Sequence, residues 1–135
     1  MAEINEEITE EGIGVNIKNV GISEDMHQKL EQLVDEGYFS KLQDGYRLAA
    51  SVAILKKMPI SDHKLVKRKN LYDAAGVDEN ESFRKTISQI FPEHKGNENN
   101  ALEKFADIGI KIIYDEIMDN DELDIKSLLE DDLND

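Results

Sequence analysis

The run Leu48-Ala49-Ala50-Ser51-Val52-Ala53-Ile54-Leu55 constrains this fold more than any other stretch. A helix through it is apolar almost all round, and such a helix belongs in the interior. Ahead of it, Ser40-Lys41-Leu42-Gln43 has the capping-box spelling, a Ser with a Gln three residues later. Behind it stands Pro59, and the residue before a proline is biased away from helix.

The neighbouring segments carry amphipathic spacing. Ser23 is a suitable N-cap, followed by Glu24 and Asp25 at the positive end of a helix dipole. Met26, Leu30, Leu33 and Val34 then share one helical face, and Gly37 suits the left-handed position that ends it. Asp78, with Glu81 three later, predicts a further start, carried on by Phe83, Ile87, Ile90 and Phe91 and stopped by Pro92. Asn100 predicts the cap of a long helix through Leu102, Phe105, Ile108, Ile112, Ile113 and Ile117. Asp124 predicts the cap of a last one through Ile125, Leu128, Leu129 and Leu133.

Residues 14–20 alternate apolar and polar, which predicts a short strand with Val15 and Ile17 on one face and Asn16 and Lys18 on the other. Residues 60–77 read as a surface loop with one short helix. The expected fold class is therefore mainly α: a compact single domain of about five helices with one short N-terminal strand. A lone strand must pair, either with the same strand of a second copy or with an undetected strand in residues 60–77.

The 135 residues suffice for one domain with a sizeable core. The net charge of -14 lies in the tails. Residues 1–12 hold five acids and no base, and residues 119–135 hold eight acids and one base. The expected organisation is a disordered acidic tail over 1–12, a helical domain over 13–118 and an acidic segment with a short helix over 119–135. Inside the near-neutral middle, Lys64, Lys67, Arg68 and Lys69 stand against Asp62 alone in residues 61–70.

With no Cys there is no disulfide, thiol nucleophile, iron–sulfur centre or thiolate zinc site. No apolar run approaches the ~18 residues of a membrane span. The first residues lack the basic and apolar stretches of a signal peptide, so a cytoplasmic location is expected. His27, His63 and His94 each stand apart from other ligand types at metal spacing. Asp119-Asn120-Asp121 begins like a calcium loop, but the Gly that such a loop needs at position six is absent. There is no phosphate loop. A non-enzymatic binding protein without a cofactor is the expectation.

Residues 14–57 combine a strand (Val15 to Val20), an amphipathic helix (Glu24 to Glu36), a Gly turn with a Ser cap (Gly37 to Ser40) and a second helix carrying Asp44-Gly45-Tyr46-Arg47-Leu48-Ala49. This layout resembles ribbon-helix-helix DNA-binding proteins and the small DndE-type proteins of bacterial DNA phosphorothioation systems. The remainder resembles uncharacterised small bacterial proteins. The resemblance implies a homodimer with paired strands, Asn16 and Lys18 toward the major groove, and a role in bacterial DNA modification or defence. Lys64, Lys67, Arg68 and Lys69 would contact the DNA backbone. The strand departs from the pattern in holding one Lys and no Arg. The alternative expectation is a protein–protein adaptor or regulatory subunit, in which Leu128 and Leu129 of the acidic last helix dock a partner.

Overall fold

The computed structural model describes residues 16–133, so the expected N-terminal tail and Val15 lie outside the described residues. The fold is mainly α. In chain order it runs β1 (Asn19–Ile22), α1 (Glu24–Asp35), α2 (Leu42–Leu55), β2 (Lys69–Asp73), α3 (Ala74–Val77), α4 (Ser82–Ile90), α5 (Glu98–Asn120) and α6 (Ile125–Leu133), with a 3-10 turn at Pro92–His94. Among the described residues no helix is long and apolar enough to cross a membrane.

The apolar run of α2 is the central helix expected of it. Tyr46, Ala49, Ala50, Val52, Ala53 and Ile54 are buried, while Leu55 turns outward. It crosses α5 at van der Waals distance of the backbones: a Cβ on Gly109 would stand 1.9 Å from the Ala49 carbonyl oxygen. Only a residue without a Cβ permits that approach. Around the crossing pack Leu30 and Leu33 of α1, Leu102, Phe105, Ile110, Ile113 and Ile117 of α5, and Ile87 of α4. α1 ends as expected, with Gly37 at φ +89° and the Tyr38 amide returned to the Leu33 carbonyl.

The N-terminal strand is shifted and finds its partner inside the chain. β1 pairs antiparallel with β2, Asn19 opposite Asp73 and Ile22 opposite Lys69, with a bulge between Val20 and Gly21. Val20 and Ile22 point into the core. The segment read as loop therefore supplies a strand as well as the short helix α3. β2 is hard to see in sequence because its burial is partial and its residues are Lys-Asn-Leu-Tyr-Asp. With β2 in place, β1 needs no second copy to complete a pair.

The helix starts use different groups from those expected. Ser23 stands at the N-cap of α1, but its side chain makes no cap bond. Lys41, not Ser40, is at the N-cap of α2, and the Ser40 hydroxyl donates to Asp44. Asp78 lies upstream of α4 yet accepts the amides of Phe83 and Arg84 and the Arg84 guanidinium. Asn97 stands at the N-cap of α5 without a side-chain cap bond, while Asn100 accepts the Ile17 amide. Asp124 caps α6 as expected, accepting the Ser127 amide at 3.1 Å.

Candidate functional site

The site is built on two acids inside the buried face of α5. Glu103 and Asp107 stand one turn apart between Leu102, Phe105, Ala106 and Ile110, and both are over nine-tenths buried. One edge of β1 is taken by β2, and the other faces α5. Glu103 Oε1 accepts the Gly21 amide at 3.0 Å, and Asp107 Oδ1 accepts the Ser23 amide at 2.7 Å. Two strand residues advance about 6.6 Å and four helical residues about 6 Å, so the carboxylates match the spacing of the strand amides. The helix thus serves the strand edge as a third strand would.

Each carboxylate has further partners. Arg68 donates to both oxygens of Glu103 and also to the Asn19 carbonyl. Burial pushes the Glu103 carboxyl above the usual range, and the Arg68 bonds only partly offset this. The same surroundings act on Tyr46, whose hydroxyl donates to the Gly21 carbonyl. Burial first, and Glu103 second, raise its ionisation well above the tyrosine norm. Asp107 Oδ2 accepts the Ser23 hydroxyl at 2.8 Å and His63 Nε2 at 2.7 Å. Ser23 Oγ in turn accepts the Val66 amide, and the Val66 carbonyl accepts the Glu24 amide.

Ser, His and Asp therefore meet, but in the wrong order for a nucleophile. In a catalytic triad the imidazole lies between the hydroxyl and the carboxylate and takes the hydroxyl proton. Here Asp107 lies in the middle and the Ser23 hydroxyl donates its hydrogen bond to the carboxylate, so His63 does not activate it. Among the described residues no three His, Asp or Glu side chains stand together as metal ligands.

The network fastens an irregular strap, residues 58–66, across α5 and the start of α1. Lys57 and Lys67, which bound it, both have left-handed backbones at φ 52° and 53°. Ile60 plugs the strap into the core, and Met58 packs on that core from its edge. Between strap, α1 and α5 lies an open groove of about 750 Å³. Its apolar lining is Met26, Met58, Val66, Ile108 and Ile112. Ile108 and Ile112 are half-buried, and Val66 is 67 % exposed. On the rim Lys111 is bound to Asp115 at 2.7 Å, and Lys67 stands 4.0 Å from Glu24.

The residues expected to touch DNA are scattered by the fold. Asn16 Oδ1 accepts the Asn99 amide, so that side chain pins the chain to the start of α5. Arg68 is paired with Glu103 while remaining exposed on its outer side. Lys18, Lys64, Lys67 and Lys69 are exposed. Of these, Lys64 and Lys67 are on the groove and Lys69 is in β2. In α6, Leu128 is 7 % exposed, its carbonyl accepts Lys56 Nζ, and Leu129 is half-buried. Leu128 thus packs on its own domain instead of standing free for a partner.

Sequence reasoning missed Ser23, His63 and Asp107 as a group, because they come from three elements. One signal was available. Two acids one turn apart interrupt an otherwise apolar helical face, and buried acids need partners. No family model, curated protein or solved structure matches the chain.

Proposed function

We propose that this chain is a non-catalytic protein-interaction module whose groove takes an amphipathic helix of a partner protein. The observation that carries the reading is the open apolar face of α5. Ile108 and Ile112 of α5 are only half-buried, as are Met26 and Met58 opposite, and Val66 beside them is 67 % exposed, so the groove between them is an apolar strip that the domain leaves partly open. Apolar-lined clefts are where ligands and amphipathic partner helices bind. Two methionines among its lining residues suit a surface that adapts to a helix laid into it.

Charge specifies the occupant further. The groove rim is balanced, Glu24, Asp25 and Asp115 standing with Lys64, Lys67 and Lys111, while the net charge of -14, most of it in the tails, draws a basic partner at long range. The partner helix therefore has an apolar stripe and lysine or arginine on its flanks. The nucleic-acid reading loses one of its cations to an internal pair, Arg68 with Glu103, and finds two others on the groove rim beside Glu24, Asp25 and Asp115.

Fluorescence anisotropy of a labelled leucine–lysine amphipathic helix tests the proposal, against a scrambled peptide of the same composition. The ordered peptide binds and the scrambled one binds at least about tenfold more weakly, the loss expected when anchor residues miss their pocket. Val66→Glu, at an exposed position, abolishes the difference without altering stability. Equal binding of the two peptides overturns the reading. Salt-sensitive binding of an intact or nicked duplex, lost in a Lys64→Ala, Lys67→Ala double variant, transfers the function to nucleic acid instead.

A further inference from the structure

We infer that the strap over residues 58–66 is a hinged wall of the groove, latched by Asp107, and that its latching sets the groove's affinity; this rests on the groove being the binding site. Three observations lead here. The strap supplies one whole side of the groove, through Met58, His63, Lys64 and Val66. Its boundaries are the left-handed residues Lys57 and Lys67, a conformation that non-glycine residues adopt only when their surroundings hold them there. Two of its tertiary hydrogen bonds converge on one side chain: His63 Nε2 reaches Asp107 Oδ2 directly, and the Val66 amide reaches it through Ser23 Oγ, while the Val66 carbonyl accepts the Glu24 amide at the strap's far end.

Asp107 is thus a positioning residue. It stands on α5 where that helix packs into the core and is only 3 % exposed, so it serves as a fixed post. His63 is the moving half: it is 28 % exposed and, among the described residues, its Nδ1 has no partner. With the latch made, Met58 and Val66 stand opposite Ile108 and Ile112 and the groove is preorganised for an apolar occupant. With it broken, Ile60 and the Glu24–Val66 bond still anchor the strap, but the stretch around His63 loosens and the occupant must order it on binding, which costs affinity. Coupling of this kind is reciprocal, so an occupant must also hold the strap shut.

The test uses the full chain, with amide hydrogen exchange and binding of the leucine–lysine helix measured together. His63→Ala removes the direct latch at a partly exposed position and leaves the core untouched; Asp107→Asn is the second variant. We expect the strap amides of His63 and Val66 to exchange at least about tenfold faster in His63→Ala, with α5 amides unchanged, and peptide affinity to fall about tenfold. His63→Gln, which keeps an N–H donor for Asp107, recovers both. Bound peptide slows strap exchange in the wild-type chain. A folded His63→Ala with unchanged strap exchange overturns the latch. Faster exchange with unchanged affinity overturns the coupling. No peptide binding by the wild-type chain defeats the groove reading, and the coupling with it, whatever the exchange shows.

Discussion

Asp107 holds Ser23 by two atoms: Oδ1 accepts its amide at 2.7 Å, and Oδ2 accepts its hydroxyl at 2.8 Å. The residues are 84 apart in sequence, and their contact joins the end of β1, the start of α1 and the middle of α5. Ser23 therefore acts as a tertiary contact although it occupies an N-cap position. Ser23→Ala is expected to cost about 1–2 kcal/mol in urea unfolding, because it strips a partner from both Asp107 and the Val66 amide. Ser23→Asp separates the two roles. Aspartate is as good an N-cap as serine, yet here it faces Asp107 and destabilises more than alanine does. Rescue by Ser23→Asp would show that capping dominates.

The close crossing of α2 and α5 makes Gly109 intolerant. A Cβ 1.9 Å from the Ala49 carbonyl oxygen forces the two central helices apart, so Gly109→Ala is expected to destabilise by about 3 kcal/mol or more. Gly76→Ala is the control. Nothing stands within 4 Å of its added Cβ, and stability is expected to change by less than about 1 kcal/mol, in the stabilising direction. Thermal melts of the two variants decide it.

Glu103 makes stability depend on pH in the direction opposite to most carboxylates. Burial raises its folded-state value despite Arg68, so the folded chain keeps that proton longer than the unfolded one. Stability is expected to fall as pH rises from the ordinary carboxylate range through the raised value, and Glu103→Gln removes that fall. Glu98 works the other way. Burial alone would raise it, but its own amide, the Gly96 amide and the Ser88 hydroxyl outweigh burial and lower it. Its contribution is complete above the ordinary carboxylate range and is lost as pH falls through the depressed value. Urea midpoints across pH for the wild type, Glu103→Gln and Glu98→Gln separate the two.

Tyr46 is fully buried, donates to the Gly21 carbonyl at 3.1 Å and meets Tyr72 edge to face at 5.5 Å. Tyr46→Phe keeps the ring contact and loses the bond, at a cost of about 1 kcal/mol. In alkaline absorbance titration Tyr46 ionises later than free tyrosine, since burial and then Glu103 oppose its charge. A Tyr46→Phe variant with an unchanged late phase would contradict this.

The helices were legible because each follows from local rules. The apolar run of α2, the spaced faces of α1 and α5, Gly37, Pro92 and the Asp124 cap depend on residues within a few positions of one another, which a linear reading sees. β2 was not legible, since its Lys-Asn-Leu-Tyr-Asp sequence becomes a strand only because β1 lies beside it. The same holds for the caps. Ser23, Asp78 and Asn100 are the residue types that bond backbone amides, but which amide each meets is settled by the packing of distant segments.

Composition and periodicity by themselves determined a mainly α chain without thiol chemistry, with an apolar central helix and acidic ends. Only the tertiary structure decided which charges are free. It placed Arg68 against Glu103 and Asn16 against α5, left Lys64 on an apolar groove, and brought Ser23, His63 and Asp107 to one point. The physical reason is distance. A run of cations has a charge that can be counted along the chain, but its partners stand tens of residues away, and burial of those partners determines what each charge can still contact.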